Sequence, residues 1–264
     1  MPDTNTAFFE LDGDRYVGND GARGPWTHNG CHGGPAAGAV ARSAEKAVPD
    51  KQLVRLTLDL FRPVPVSGFT IQTTVGRNGR IVATVALTVV DDTGRACASA
   101  TALLMAQQDI GEVTTAAFEL PDRAAARLTP FRRIRGGHEL RTFADVVEVM
   151  TPRGTPLTLG PNTAWMRTPR LVSGEQDSAF VSVCALADCG NGFSRNQDAD
   201  EVTFINTDLS INLHRAPSGE WIGAQFTSRW ESNGTGLSNA ILFDDHGPIG
   251  SAQQCLLLQR PDKA

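Results

Sequence analysis

No stretch of this chain approaches the roughly 20 consecutive apolar residues that a membrane-spanning helix needs. The opening residues, MPDTNTAFFELDGD, are acidic and have no apolar core, so no secretory leader is expected and a cytoplasmic location is the default. Basic charge is also short. The 24 Lys and Arg stand against 29 Asp and Glu, giving a net charge of −5, and the arginines are scattered. Neutralising a phosphate backbone needs a concentrated basic face, so nucleic-acid binding is not expected. The one basic cluster, RLTPFRRIR from Arg127 to Arg135, reads as a solvated linker. Cysteines number only five, an odd count, and sit mostly in apolar runs, which suits reduced core thiols better than a disulfide framework. What remains is 264 residues, 41% hydrophobic and 20% charged: a globular chain with length for one large domain or two.

What is present is strand after strand. LVRLTLDLFRPV, GFTIQTTVGR, IVATVALTVVDDTG and RACASATALLMA are rich in Val, Ile, Thr and Leu and are separated by turn residues. GRNGR, Gly76 to Arg80, is a hairpin turn by its Asn-Gly. Before these runs, GGPAAGAVARSAEKAV (Gly33 to Val48) has the small residues, the early proline and the following Pro49 of a single helix. The second half repeats the order. SAFVSVCALADCGNG is a helix candidate, followed by EVTFINTDLSINLHR, EWIGAQFTSRWES, GLSNAILFDDHG and PIGSAQQCLLLQR as strands.

With a constant offset of 153 and no gap, Leu56, Leu60, Arg62, Gln72, Thr74, Asp91, Asp92, Gly94, Leu103 and Leu104 fall on Leu209, Leu213, Arg215, Gln225, Thr227, Asp244, Asp245, Gly247, Leu256 and Leu257. Such agreement points to duplication. The expected organisation is an α+β fold of two copies, 1–111 and 138–264, joined by a linker over 112–137 that carries Pro121 and Pro130. A groove where the halves meet is the expected ligand site.

HNGCHGGPAAG, His28 to Gly38, looks at first like a metal or redox centre. It offers at most three ligands, His28, Cys31 and His32, with no second cluster at a usable spacing, so no metal is expected; Cys31 also lacks a Cys-x-x-Cys partner. The remaining reading is a glycine turn feeding a helix, whose first N–H groups attract negative charge.

The runs HGGPAAGAVARSAEKAV…LVRLTLDLFRPVP and DLSINLHRAPSGEWIG…GLSNAILFDDHGPIGSAQQCLLLQR resemble the double-hotdog acyl-CoA thioesterases, the acyl-CoA thioesterase II family, over about Phe8 to Arg260. The resemblance implies two tandem hotdog folds, each a curved antiparallel sheet around a central helix, and hydrolysis of an acyl-CoA thioester by a bound water. It implies neither metal nor other cofactor nor a covalent acyl-enzyme. The water would be held by Asp, Thr or Ser, and Gln of the C-terminal half. Asp188 in ALAD matches the aspartate, and of Gln253 and Gln254 the family's ending favours Gln254. The hydroxyl position holds Asn206, a departure from the pattern, with Thr207 beside it but facing the other side of the strand by alternation.

On these expectations Asp188 is the general base and Asn206 (or Thr207) and Gln254 fix the water. Gly33 and Gly34 polarise the carbonyl, His32 shapes the pocket wall, and His214 is a further candidate for touching substrate. Asp208 is expected to pair with a nearby arginine, with Arg215 as the candidate, and Arg62 and Arg215 read as structural strand-end residues as readily as phosphate contacts. Two other activities fit the same residues. One is a hotdog enoyl-CoA hydratase using an Asp–His pair among Asp20, His28 and His32. The other is a non-catalytic acyl-CoA binding protein. The resemblance also suggests a homodimer.

Overall fold

The computed structural model describes residues 7–131, 139–154 and 156–261. The sequence repeat is the plan of the molecule. In the N-terminal half, helix α1 (Gly33–Ala47) packs against β3 (Gln52–Leu60), β4 (Phe69–Asn78), β5 (Val82–Asp91) and β6 (Ala96–Met105). In the C-terminal half, α2 (Val181–Ala187) and α3 (Gly190–Phe193) lie against β11 (Asp208–Leu213), β12 (Ile222–Trp230), β13 (Thr235–Asp244) and β14 (Gly247–Gln259). Shifting β5 by 153 residues gives the bounds of β13, and the first residue of β4 falls on the first of β12.

The halves join through β3 and β11, which pair antiparallel with Thr57 opposite Ser210. These two residues are themselves one repeat apart, and the Ser210 hydroxyl donates to Thr57 Oγ1 at 3.3 Å. A local two-fold axis therefore passes through this pair and makes one sheet of the two halves. Each half wraps its curved antiparallel sheet around its own helix, so the molecule is a double hotdog.

Strands that the sequence reading passed over lie mainly at the sheet's ends. β1 (Phe9–Asp12) and β2 (Arg15–Gly18) form a hairpin about Gly13, whose φ of 60° suits glycine. β7 (Ala126–Leu128), inside the stretch read as a linker, and β8 (Glu148–Pro152) extend the sheet outward from β9 (Asn162–Arg167). The basic cluster Arg127–Arg135 falls partly on β7 and partly outside the described residues.

The helices run through the middle of the core and pack side by side, antiparallel, with the first turn of α1 against the end of α2 and Glu45, near the end of α1, beside Ser178, just before α2. α1 presents its glycines and alanines to α2: a Cβ on Gly34 would stand 2.7 Å from the Ala185 Cα, and one on Gly33 2.8 Å from both carboxylate oxygens of Asp188. The glycines read as a turn are thus spacers that let the two halves' helices touch.

The repeated DD-x-G turn has a structural use in each copy. Asp244, fully buried, takes two bonds from Arg215, at 2.7 and 2.8 Å, and the backbone N–H groups of His246 and Ser218. These donors hold its carboxyl well below the usual carboxylate range. Asp91, its repeat equivalent, takes the N–H groups of Thr93 and Arg95. Arg215 is therefore committed to Asp244 rather than to Asp208, and the expected Asp208–Arg215 pair does not form.

All five cysteines are free. Cys255 faces out, Cys31 is half-buried with its thiol pushed up by burial, and Cys97, Cys184 and Cys189 are buried. Under native conditions a thiol reagent is expected to modify Cys255 first, with the buried thiols reacting only after denaturation; mass mapping of the labelled peptides checks this. No helix among the described residues is long and apolar enough to cross a membrane.

Candidate active site

Asp188 caps the C-terminal end of α2, where the second helix path breaks before α3. The break turns its side chain toward the first turn of α1, and the residue is only 6% exposed. Three side chains from three elements converge on it. Gln254 Nε2, from β14, donates to Asp188 Oδ1 at 2.9 Å; Asn206 Nδ2, from β10 (Thr203–Asn206), donates to the same oxygen at 3.3 Å. His32, just before α1, brings Nδ1 to 2.9 Å from Asp188 Oδ2. Both amides also reach the Asp188 backbone carbonyl, at 3.2 and 3.5 Å. A carboxylate offers about four lone-pair sites, so three such donors leave one for a ligand.

How β10 delivers Asn206 explains the departure from a hydroxyl. Asn206 lies opposite Leu256 and Ser210 opposite Gln253, so Thr207 and Asp208 together face the single residue Cys255. This is a β-bulge. Cys255 stays satisfied because its carbonyl accepts from the Thr207 N–H and hydroxyl, and its N–H donates to Asp208 Oδ1 at 2.6 Å. The extra residue flips the strand's alternation: Phe204 and Asn206 face the core before the bulge, Leu209, Ile211 and Leu213 after it. Asp208 thus holds the bulge, and exposed Thr207 points away from Asp188. On β14, Gln254 is 1% exposed, whereas Gln253 faces out to Asn239.

His32 is held in place by two contacts. Its ring stacks on Phe143 at 4.0 Å and 16°, and Phe143 comes from the other half, its N–H donating to the Arg23 carbonyl. Nδ1 also stands 3.2 Å from the Gly34 backbone nitrogen. One nitrogen cannot serve both neighbours: protonated it donates to Asp188, unprotonated it accepts from Gly34.

Sequence reasoning had no signal for Phe143, a lone aromatic in RTFAD. Three other candidates lie apart from the cluster. His214 is exposed beyond the far end of β11, eight positions from Asn206, or about 25 Å along an extended strand. Asp20 pairs with Arg23 at 2.9 Å, and His28 is exposed. Among the described residues no three His, Cys, Asp or Glu side chains are grouped to hold a metal ion.

Family models match both halves of the chain. Residues 22–105 match a model described as the acyl-CoA thioesterase N-terminal domain, and residues 121–258 one described as the acyl-CoA thioesterase C-terminal domain. No curated protein matches the chain by sequence. Among solved structures, a conserved protein with a hot dog fold from Alicyclobacillus acidocaldarius is similar with a TM-score of 0.72 at 17% identity, covering 96% of both chains. The acyl-CoA thioesterase II TesB2 of Mycobacterium marinum has a TM-score of 0.68 at 16% identity, covering 97% of this chain and 95% of that one. The tesB protein of Mycobacterium avium subsp. paratuberculosis gives 0.67 at 13% identity, with 95% of each chain covered. With both halves matched by the paired models, this chain belongs to the acyl-CoA thioesterase family of thioester hydrolases.

Proposed function

We propose that the chain hydrolyses acyl-CoA thioesters with a water bound to Asp188, and that Asn206, Gln254 and His32 fix the carboxylate that takes its proton. The observation that carries this is the convergence of two amide donors and the His32 ring nitrogen, from both halves of the molecule, on one buried carboxylate. His32 donates a hydrogen bond from Nδ1–H to the Asp188 carboxylate, which leaves the Gly34 N–H at the start of α1 free for the substrate carbonyl. As the tetrahedral intermediate forms, negative charge grows on that oxygen beside the positive end of the α1 dipole. Collapse then expels coenzyme A as the thiolate.

Asn206 meets the chemical need that a hydroxyl would meet. Its Nδ2 donates to Asp188 while its Oδ1 is buried without a partner, an acceptor available to the water's second hydrogen. A serine or threonine offers the same pair of functions in one atom. In an assay of free coenzyme A release, Asn206→Ala is expected to lower kcat about tenfold or more, while Thr207→Ala stays within about twofold of the wild type. Equal losses in both variants would refute the assignment.

A His–carboxylate pair spanning the two halves also suits addition of water to an enoyl-CoA, which would leave the thioester intact. The same samples assayed for loss of the conjugated enoyl absorbance separate that reading from hydrolysis.

A further inference from the structure

Around Asp188, several polar atoms are buried without a hydrogen-bond partner among the described residues: Asn191 Nδ2, Asn206 Oδ1, Ser238 Oγ and Gln254 Oε1. Water binding accounts for the Asn206 oxygen. The Ser238 and Gln254 oxygens belong together, because these residues are direct cross-strand neighbours on β13 and β14 and are 2% and 1% exposed. Both border one point under α3, the place a Cβ on Gly190 would take, at 2.5 Å from Ser238 Oγ and 2.7 Å from Gln254 Oε1. Gly190 lets the helix close over the pair and shut out bulk water.

Ser238 ends a buried row of hydroxyls. Ser228 lies opposite it on β12, and Ser228 Oγ is 2.7 Å from Ser194 Oγ. Ser194 spends its own proton on the Gly190 carbonyl at 2.9 Å, so Ser228 must be the donor in that contact. Ser228 then has no proton for Ser238, and the Ser238 hydroxyl is a donor with an acceptor beside it.

We infer that Ser238 is a positioning residue whose hydroxyl holds Gln254 Oε1, directly or through one water, and so turns the Gln254 amide N–H toward Asp188. A glutamine amide is nearly symmetric in shape and opposite in polarity at its two ends. Turned over, it would set an oxygen against the Asp188 carboxylate and lose the donor that holds it. A hydroxyl donor on the far side makes the productive orientation the favoured one. This inference rests on the proposed role of Gln254.

The test is a double-mutant cycle on coenzyme A release with Ser238→Ala, Gln254→Ala and both together. Ser238→Ala is expected to lower kcat about tenfold with KM within about twofold. Its melting temperature should fall by only a few degrees, since one neutral hydrogen bond is lost, and the double variant should be no slower than Gln254→Ala. If Ser238→Ala proves insoluble, Ser238→Cys, similar in size but a poor donor, runs the same cycle. Wild-type kcat in the serine variant, or losses that multiply in the double variant, overturn the role of Ser238. Wild-type kcat in Gln254→Ala overturns the assignment of Gln254 itself and this inference with it.

Discussion

Replacing Asp188 by alanine is expected to lower kcat for acyl-CoA hydrolysis about a thousandfold while leaving KM within about threefold. Removing a positioned general base costs on the order of 10²- to 10⁴-fold, and here the same carboxylate is also the anchor for Asn206, Gln254 and His32. Asp188→Asn should be nearly as slow. The amide keeps the shape, but its NH2 meets donors from one side or the other, because donors approach both carboxylate oxygens. Steady-state kinetics on folded variants give the answer, and a loss under tenfold for either one removes Asp188 as the base.

The second large effect is on stability. Asp244→Ala is expected to cost about 2 to 4 kcal/mol, because it empties a fully buried carboxylate site and removes the two bonds to the partly exposed Arg215 guanidinium and the acceptor of the Ser218 and His246 N–H groups. For a chain of this size the cost lowers the melting temperature by roughly 10 °C. The folded-state pKa of Asp244 is depressed, so its contribution is present above the unfolded carboxylate value of about 3.9 and is lost as the pH falls below it. The gap between wild type and variant should therefore be full at pH 7 and narrow below about pH 4. Calorimetry across that range checks both the size and the sign, and a gap that widens on acidification would contradict the assignment.

Much of this architecture was legible in the sequence because duplication left a gap-free register. The offset that aligns Asp91 with Asp244 also sets Thr57 against Ser210 at the junction, so a comparison of letters foretold a symmetry axis. The hairpin β1–β2 and the outer strands β7 to β9 were harder, being short and weakly alternating. The site was legible in its members rather than its geometry. Asp188, Asn206, Gln254 and His32 were all named. Alternation already set Thr207 on the face opposite Asn206, but the bulge opposite Cys255, which turns Leu209 inward as well and gives Asp208 its bond to the Cys255 N–H, follows no spacing rule. Arg215 was drawn toward the wrong carboxylate for a similar reason: Asp208 is nearer in sequence, whereas Asp244 arrives across the sheet. His214, exposed beyond the end of β11, stands apart from the Asp188 cluster.

The glycines that open α1 change meaning once both halves are in view. Gly33 and Gly34 were expected to face a carbonyl through their N–H groups. The structure adds a packing reason for the same residues, because any side chain at Gly33 would displace the Asp188 carboxylate.

The most direct measurement is to follow wild-type protein with a panel of saturated and enoyl-CoA thioesters, recording free thiol and conjugated absorbance together. Catalytic release of free coenzyme A from saturated substrates, with one free acid per thiol, is the predicted result. Tight acyl-CoA binding with no thiol at any chain length, or loss of enoyl absorbance with the thioester intact, would contradict it.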